Sequence, residues 1–183
     1  TLHTYPYLIV ALPSITKPEQ LKGKKMAVSR FGSSSHFATL QALERWGLEP
    51  GKDVAVLQIG NTPARFGALA SGAVDAAVMA AGGQSLQAKK SGLTILGDLS
   101  ALGVEYLGNA VNVNRQFLSD RPDVVRRFMK GFVEGVHFLK TRKEESKATI
   151  AKYLRITDPE LLEEGYQQYA LKFVPRKPYP NLK

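Results

Sequence analysis

The sequence predicts an α/β protein, with one lobe built on a parallel sheet and a following segment that is helical to its end. Three observations predict it. Short apolar runs alternate with helical patterns through the first two-thirds of the chain, the order that produces parallel βαβ units. At Glu105 the alternation stops, and a stretch with apolar and polar residues in alternation follows. Beyond it the apolar spacing is helical only.

The elements follow in order. "YLIVAL" (7–12) reads as a buried strand, and Pro13 to Gly23 as a turn region in which Pro18 opens a short helical turn. "KKMAVS" is the next strand. It runs into Arg30-Phe31-Gly32 and three consecutive serines, after which a helix over 35–46 is closed by Gly47. "VAVLQI" (54–59) is a strand, and "TPARFGALASG" a helix with Thr62 as N-cap, Pro63 at the first helical position and Gly72 just past the end. "VDAAVMA" is a strand, "GQSLQAKKSG" a short helix and "LTILG" a strand. "YLGNAVNVN" (106–114) reads as a strand with one face in solvent. Asp120 is then expected to cap a long helix from Arg121 to about Arg142, and helices at about 144–154 and 159–172 precede a Pro-rich tail.

Along the 121–142 helix, Val124, Phe128, Phe132, Val136 and Leu139, flanked by Val125, Met129 and Val133, make one wide apolar stripe. Arg126, Lys130, Glu134 and His137 lie opposite, so His137 reads as a surface residue. A stripe this broad needs a sheet or several helices against it. After residue 105 the sequence supplies one strand and two helices. The missing layer is expected either from residues upstream of Thr1 or from another molecule, self-association of this chain included.

Composition sets the outer limits. With 183 residues, 44% hydrophobic and 22% charged, this is an ordinary globular chain of one domain or two small ones. No run approaches the ~18 apolar residues that span a bilayer, and no basic-then-apolar leader precedes "YLIVAL", so export would require a leader absent from this chain. The absence of cysteine excludes disulfides, thiolate catalysis and cysteine-ligated metals. A formal charge of +9 raises nucleic-acid binding, but the 25 Lys and Arg are interleaved with 16 Asp and Glu along the whole chain. A mild positive field that favours small anions fits better, and no nucleic-acid partner is expected.

In open α/β sheets ligands bind beyond the carboxyl ends of the strands, where loops lead into helix N-termini. Three such loops occur: "RFGSSSH", "GNTPAR" and "AAGGQS". Each combines small residues with the positive end of a helix dipole, which suits an anion. One serine is enough to cap a helix, which leaves the others free to aim donors at a ligand. Taken singly, each loop is as well explained by capping alone. Three on one sheet edge argue for more. His36 falls in the first helical turn, where the dipole favours a neutral imidazole able to touch ligand or to serve the packing. Catalytic constellations are poor: His3, His36 and His137 are scattered, Asp75 at a strand start reads as a loop anchor, and no Walker motif or nucleophile elbow is found. No metal and no cofactor are expected. The chain reads as a binder, not a catalyst.

The stretch "LKGKKMAVSRFGSSSHFATLQALERWGLEPGKDVAVLQIGNTPARFGALASGAVDAAVM" closely resembles the type 2 periplasmic solute-binding proteins of ABC importers. The branch is the one of alkanesulfonate, taurine and nitrate binding proteins, which also holds thiamine-precursor-like members. The marks are "LKGKK", the Gly-Ser-Ser loop and "ALASGAVDAAV", while "RPDVVRRFMKGFVEGVHFLK" resembles the family's helix after the return crossover. The likeness runs from about residue 7 to 172.

The resemblance implies the type 2 periplasmic-binding-protein fold, two α/β lobes joined by two crossover strands and closing by a hinge on a ligand. Residues 1–12 would hold the outgoing crossover, 13–105 the complete second lobe, 106–114 the return crossover, and 115–183 the C-terminal helical part of a first lobe whose N-terminal part this chain lacks. It further implies a small anionic or polar solute, such as a sulfonate or nitrate, and an ABC permease as partner. The implied location is the periplasm, or the outer face of the inner membrane with a tether. By resemblance the ligand would meet Ser33, Ser34 and Ser35, with Gly60, Asn61, Ala80, Ala81 and Gly82 beside them, His36 near, and Asn109 next to the return crossover. A pyrimidine-precursor enzyme on the same scaffold is the alternative, although that group carries a cysteine-rich motif and this chain has no cysteine.

Overall fold

A computed structural model of the chain describes residues 4–102, 106 and 109–177, except for the side chains at 83–85 and 102. They fall into two compact units, Thr4–Val104 and one that holds Glu105–Lys183.

The first unit is a five-stranded sheet with helices. Its strands are β1 (Tyr7–Ala11), β2 (Lys24–Val28), β3 (Val54–Gln58), β4 (Ala76–Ala80) and β5 (Thr94–Asp98), and its helices are α1 (Ser34–Arg45), α2 (Thr62–Ala70) and α3 (Gly83–Lys90). Each strand coincides with an apolar run in the sequence. Ile9, Val10, Ala11, Met26, Ala27, Val28 and the strand centre Ala76–Met79 are shut off from solvent, the continuous burial of a sheet covered on both faces. Positive-φ glycines stop the helices where the sequence places them, Gly47 after α1 and Gly72 after α2.

The strand order is β3-β2-β4-β1-β5. β2 pairs in parallel with both β3 and β4. β1 is antiparallel to its two neighbours, β4 and β5. The expected parallel lobe over 13–105 is therefore a mixed sheet that takes in residues 7–11 as an inner strand. Its pairing with β5 shifts register between Ile9 and Val10. A buried antiparallel strand and a buried parallel one both read as unbroken apolar runs, so the direction of β1 was not legible. The order has a consequence for binding. The chain leaves β2 towards β3 and leaves β4 towards β5, in opposite directions across the sheet. The loops after β2 and β4 thus flank a topological switch point. Asp75 anchors the opposite edge, its carboxylate accepting from the Lys25 amide at 2.8 Å.

The second unit is helical: α4 (Arg115–Asp120), α5 (Pro122–Thr141), α6 (Lys143–Leu154) and α7 (Pro159–Tyr166), which continues as a π-helix over Gln167–Phe173. Two expectations are corrected here. Residues 106 and 109–114 form no strand; an alternating pattern makes a strand only where another strand can pair with it, and none is described in this unit. Positions 107 and 108, like the end of the tail and His3, lie outside the described residues. Asp120 does not cap the long helix but ends a short one, accepting from the Gln116 side chain at 2.8 Å. Pro122 separates the two by keeping Arg121 out of helical geometry, at φ −135° and ψ 52°. The apolar stripe on α5, in keeping with the layer expected to be missing, is not covered within this unit. Only Val136 is buried, while Phe128 (57%) and Phe132 (36%) face outward. His137 is exposed, as expected.

Polar contacts tie the helices together. Tyr166 Oη donates to the Leu139 carbonyl at 2.8 Å, and Lys140 Nζ to the Ala170 carbonyl at 2.5 Å. Glu163 on α7 accepts from Lys143 Nζ at 2.6 Å, Lys147 Nζ at 2.9 Å and Gln167 Nε2 at 2.8 Å. Hydrogen bonds from Gln167, Lys143 and Lys147, in that order, lower its pKa from 4.5 to about 2. A depressed carboxyl pKa contributes stability that is present above the ordinary value and lost as pH falls through the folded one. We therefore expect Glu163→Gln to destabilise the helical unit at pH 6, with the deficit shrinking as pH falls from 4.5 towards 2. Urea unfolding of both proteins followed across that range checks this, and a deficit independent of pH would show that the carboxylate is not the source.

Candidate functional site

The three loops singled out in the sequence lie side by side at one end of the sheet. Ile59 and Gly60 amides donate to the Val28 and Ser29 carbonyls at 3.0 Å each, joining the loop after β3 to the loop after β2. Because β1 runs antiparallel, its first residue, Tyr7, pairs with Ala80 at the last position of β4. The Ala81 amide then donates to the Pro6 carbonyl at 2.8 Å. The start of β1 and the ends of β2, β3 and β4 therefore share an edge.

The serines divide their tasks. Ser33 is the N-cap of α1: its hydroxyl accepts from the His36 amide at 3.4 Å and donates to the Arg30 carbonyl at 2.6 Å. Ser35, 2% exposed, turns inward, and its Oγ lies 2.8 Å from Ser29 Oγ and accepts from the Ser29 amide at 3.0 Å. Ser29, Ser33 and Ser35 hydroxyls form a triangle with sides of 2.8 to 3.0 Å. Ser34 stands apart from that triangle, 2.7 Å from the Tyr7 hydroxyl. Gly32, at φ +75°, makes the turn, and its amide donates to His36 Nδ1 at 3.2 Å. With Nδ1 accepting, the neutral ring carries its proton on Nε2. Phe31, 56% exposed, meets the His36 ring edge-on at 5.3 Å. The Ser34 and Ser35 amides, in the first turn of α1, have no acceptor among the described residues.

Next to them, the N-cap of α2 is Asn61 and not Thr62, with Pro63 one position inside the helix. Both residue types cap well, and the shift matters. Asn61 Oδ1 accepts from the Ala64 amide at 3.0 Å, so its side chain serves the helix. Thr62 Oγ1 instead accepts from Arg65 Nη2 at 3.1 Å. Arg65 is 3% exposed. Its Nε donates to the Val78 carbonyl at 2.6 Å and its Nη1 to the Gly60 carbonyl. Burial lowers its pKa and the neighbouring Tyr7 opposes that change, but a guanidinium stays charged at neutral pH. No carboxylate among the described residues pairs with it.

In the third loop Ala80 is half-buried, Ala81 and Gly82 are buried, and Gly82 begins α3 at φ +97° with no side-chain cap. The Ala81 amide is used by Pro6, so it is no free donor. Asn109 is exposed and belongs to the helical unit. Sequence reasoning missed Tyr7, Arg65 and Ser29. Tyr7 reaches this edge only because β1 is antiparallel. Arg65 carried a signal: it lies four residues before the buried Leu69, on the same helix face.

The edge is built from donors. Residues 29–36, 58–62 and 80–82 contain no Asp or Glu. It offers the unpaired amides at 34 and 35, the N-terminal dipoles of α1 and α2, and a buried cation beneath. That suits a small anion with several acceptor oxygens. No set of three or more His, Cys, Asp and Glu able to hold a metal is found among the described residues.

Residues 1–146 match the family model described as NMT1/THI5 like. Over 127 residues the chain is 34% identical to the taurine-binding periplasmic protein of Escherichia coli (strain K12), a match that spans 69% of this chain and 38% of that protein. Its fold superposes on the alkanesulfonate-binding protein SsuA from Xanthomonas axonopodis pv. citri, solved bound to MOPS, with a TM-score of 0.73 at 22% identity, covering 91% of this chain and 59% of that one. The periplasmic aliphatic sulphonate binding protein SsuA from Escherichia coli gives 0.71 at 23% identity, covering 91% and 55%. The chain thus spans between about two-fifths and three-fifths of the length of these relatives.

The division of tasks among the serines predicts separable effects. Ser33→Ala should cost about 1 kcal/mol of stability through the lost cap, and Ser35→Ala about 1–3 kcal/mol because the buried hydroxyl is lost and the half-buried Ser29 amide loses its acceptor. Ser34→Ala should cost least, about 0.5 kcal/mol, because it removes only the half-buried hydrogen bond to the Tyr7 hydroxyl. Chemical unfolding of the three variants checks the order, and equal losses at all three positions would contradict it.

Proposed function

The chain belongs to the NMT1/THI5-like family, and from that premise we propose that it captures a small oxyanion, a sulfonate first among them, as the solute-binding component of an ABC importer. The observation that carries this reading is the acid-free edge with unpaired amides at Ser34 and Ser35 over the buried Arg65. A sulfonate presents three acceptor oxygens and one negative charge, which two helix N-termini and adjacent amides can receive at once. Tyr7 and Ser34, hydrogen-bonded to each other, add hydroxyls that can turn to donate.

The names of the relatives support the choice of solute, since they concern taurine and aliphatic sulfonates. They also support a binding protein over an enzyme. The partner would be a permease that reads the shape of the loaded protein, and the working location the periplasm. No described helix is long and apolar enough to cross a membrane. The contact residues would be Ser34, Ser35, Gly60, Asn61 and His36, with Ala80, Ala81 and Gly82 as wall.

A thermal-shift panel on the 183-residue chain tests the solute class. Taurine, ethanesulfonate, nitrate and bicarbonate are compared with neutral amides of similar size. At ~100 times its dissociation constant a bound solute adds about 2.7 kcal/mol of apparent stability. A sulfonate is expected to give the largest shift. Shifts from neutral solutes alone, or from none, would contradict the reading.

A further inference from the structure

The proposed anion site leaves one group unexplained, the guanidinium of Arg65. It is 3% exposed, and no carboxylate among the described residues faces it. Placing an unpaired charge inside a protein is costly. A neutral side chain of similar length could hold two of the same carbonyls without that cost, so a purely structural staple does not explain why the residue is charged.

Three features connect it to the edge. Its three hydrogen bonds go to Gly60, Thr62 and Val78, which gathers the loop after β3, the first turn of α2 and the strand leading into the loop after β4. A guanidinium has five N–H groups, so two remain beyond these three bonds. The grip on the Gly60 carbonyl also sets a peptide plane. In a trans peptide the C=O of one residue and the N–H of the next point in opposite directions. A Gly60 carbonyl turned inward to Arg65 therefore turns the Asn61 amide outward, and that amide has no acceptor among the described residues. Gly60 holds φ +108°, a backbone state that side chains other than glycine's resist.

We propose that Arg65 is a positioning residue and buried counter-charge of the anion site: it turns the Asn61 amide towards the ligand and supplies the positive charge that a bound oxyanion neutralises. The assignment rests on the anion-binding reading above and adds the residue that sets the preference for charge. Arg65 does not itself have to touch the ligand. Within a low-dielectric wall, a cation a few ångströms behind the donors still favours an anion over an isosteric neutral solute.

Calorimetric titration of ethanesulfonate and of its neutral analogue ethanesulfonamide into the wild-type chain, Arg65→Lys and Arg65→Gln tests this. Wild type is expected to bind the sulfonate about tenfold or more tightly than the sulfonamide. Arg65→Gln should bring the two together by weakening sulfonate binding about tenfold, while Arg65→Lys, which keeps the charge, should restore most of that preference. Equal loss in both variants, with the preference for sulfonate unchanged, would reduce Arg65 to a staple and overturn the proposal. If Arg65→Gln fails to fold, the wild-type and Arg65→Lys preferences decide alone, and no preference in either overturns it. Wild type that binds neither probe would overturn the anion-binding reading itself, and this proposal with it.

Discussion

The direction of one strand organises the α/β unit. β1 lies between β4 and β5 and antiparallel to both, so its first residue falls where those two strands end. Tyr7 arrives beside Ala80 and reaches Ser34 at 2.7 Å. The Pro6 carbonyl takes the Ala81 amide. Had β1 run the other way, Tyr7 would sit at the Asp75 edge, and the serine loop would lose its hydroxyl neighbour. The same strand carries Ile9, Val10 and Ala11, all fully buried, so the packing that stabilises the sheet also fixes the geometry of the edge.

At that edge, one sequence feature turns out to be several. Three serines in a row are not three copies of a cap. Ser33 caps, Ser35 is drawn inward to satisfy the amide of Ser29 at the end of β2, and Ser34 is left beside Tyr7. The spacing explains this, since successive residues at a helix start point about 100° apart. Arg65 holds a backbone carbonyl of the second loop from below, as Ser35 holds a backbone amide of the first. Both loops are shaped by buried side chains that present nothing to solvent themselves.

The parts of the structure legible in the sequence were those fixed by local signals. Apolar runs gave all five strands of the α/β unit, and the capping and glycine positions gave its helix ends to within a residue or two, with Asn61 taking the cap from Thr62 because either can. What the sequence hid was non-local. The direction of β1 depends on strands some 70 residues away, and with it the role of Tyr7. In the helical unit the alternation around residues 109–114 finds no strand to pair with among the described residues, and Val111 and Val113 stay exposed. Asn114 caps α4, accepting from the Gln116 and Phe117 amides at 2.8 and 3.3 Å; a short helix with one good cap and no apolar period is easily read as loop. The α5 stripe was recognised as a surface in need of cover, and within its own unit only Val136 receives it.

The central claim is that backbone amides on two adjacent loops receive an oxyanion at the carboxyl edge of this sheet. Amide chemical shifts of the isotope-labelled chain, followed during titration with ethanesulfonate, test it most directly. The account predicts that the largest saturable shifts fall on Ser34, Ser35 and Asn61, with smaller ones on Gly32 and Gly60 and little change on β5 or at Asp75. Saturable shifts centred elsewhere, for instance on the Leu40–Pro50 groove at the far end of α1, or shifts that never saturate, would contradict it.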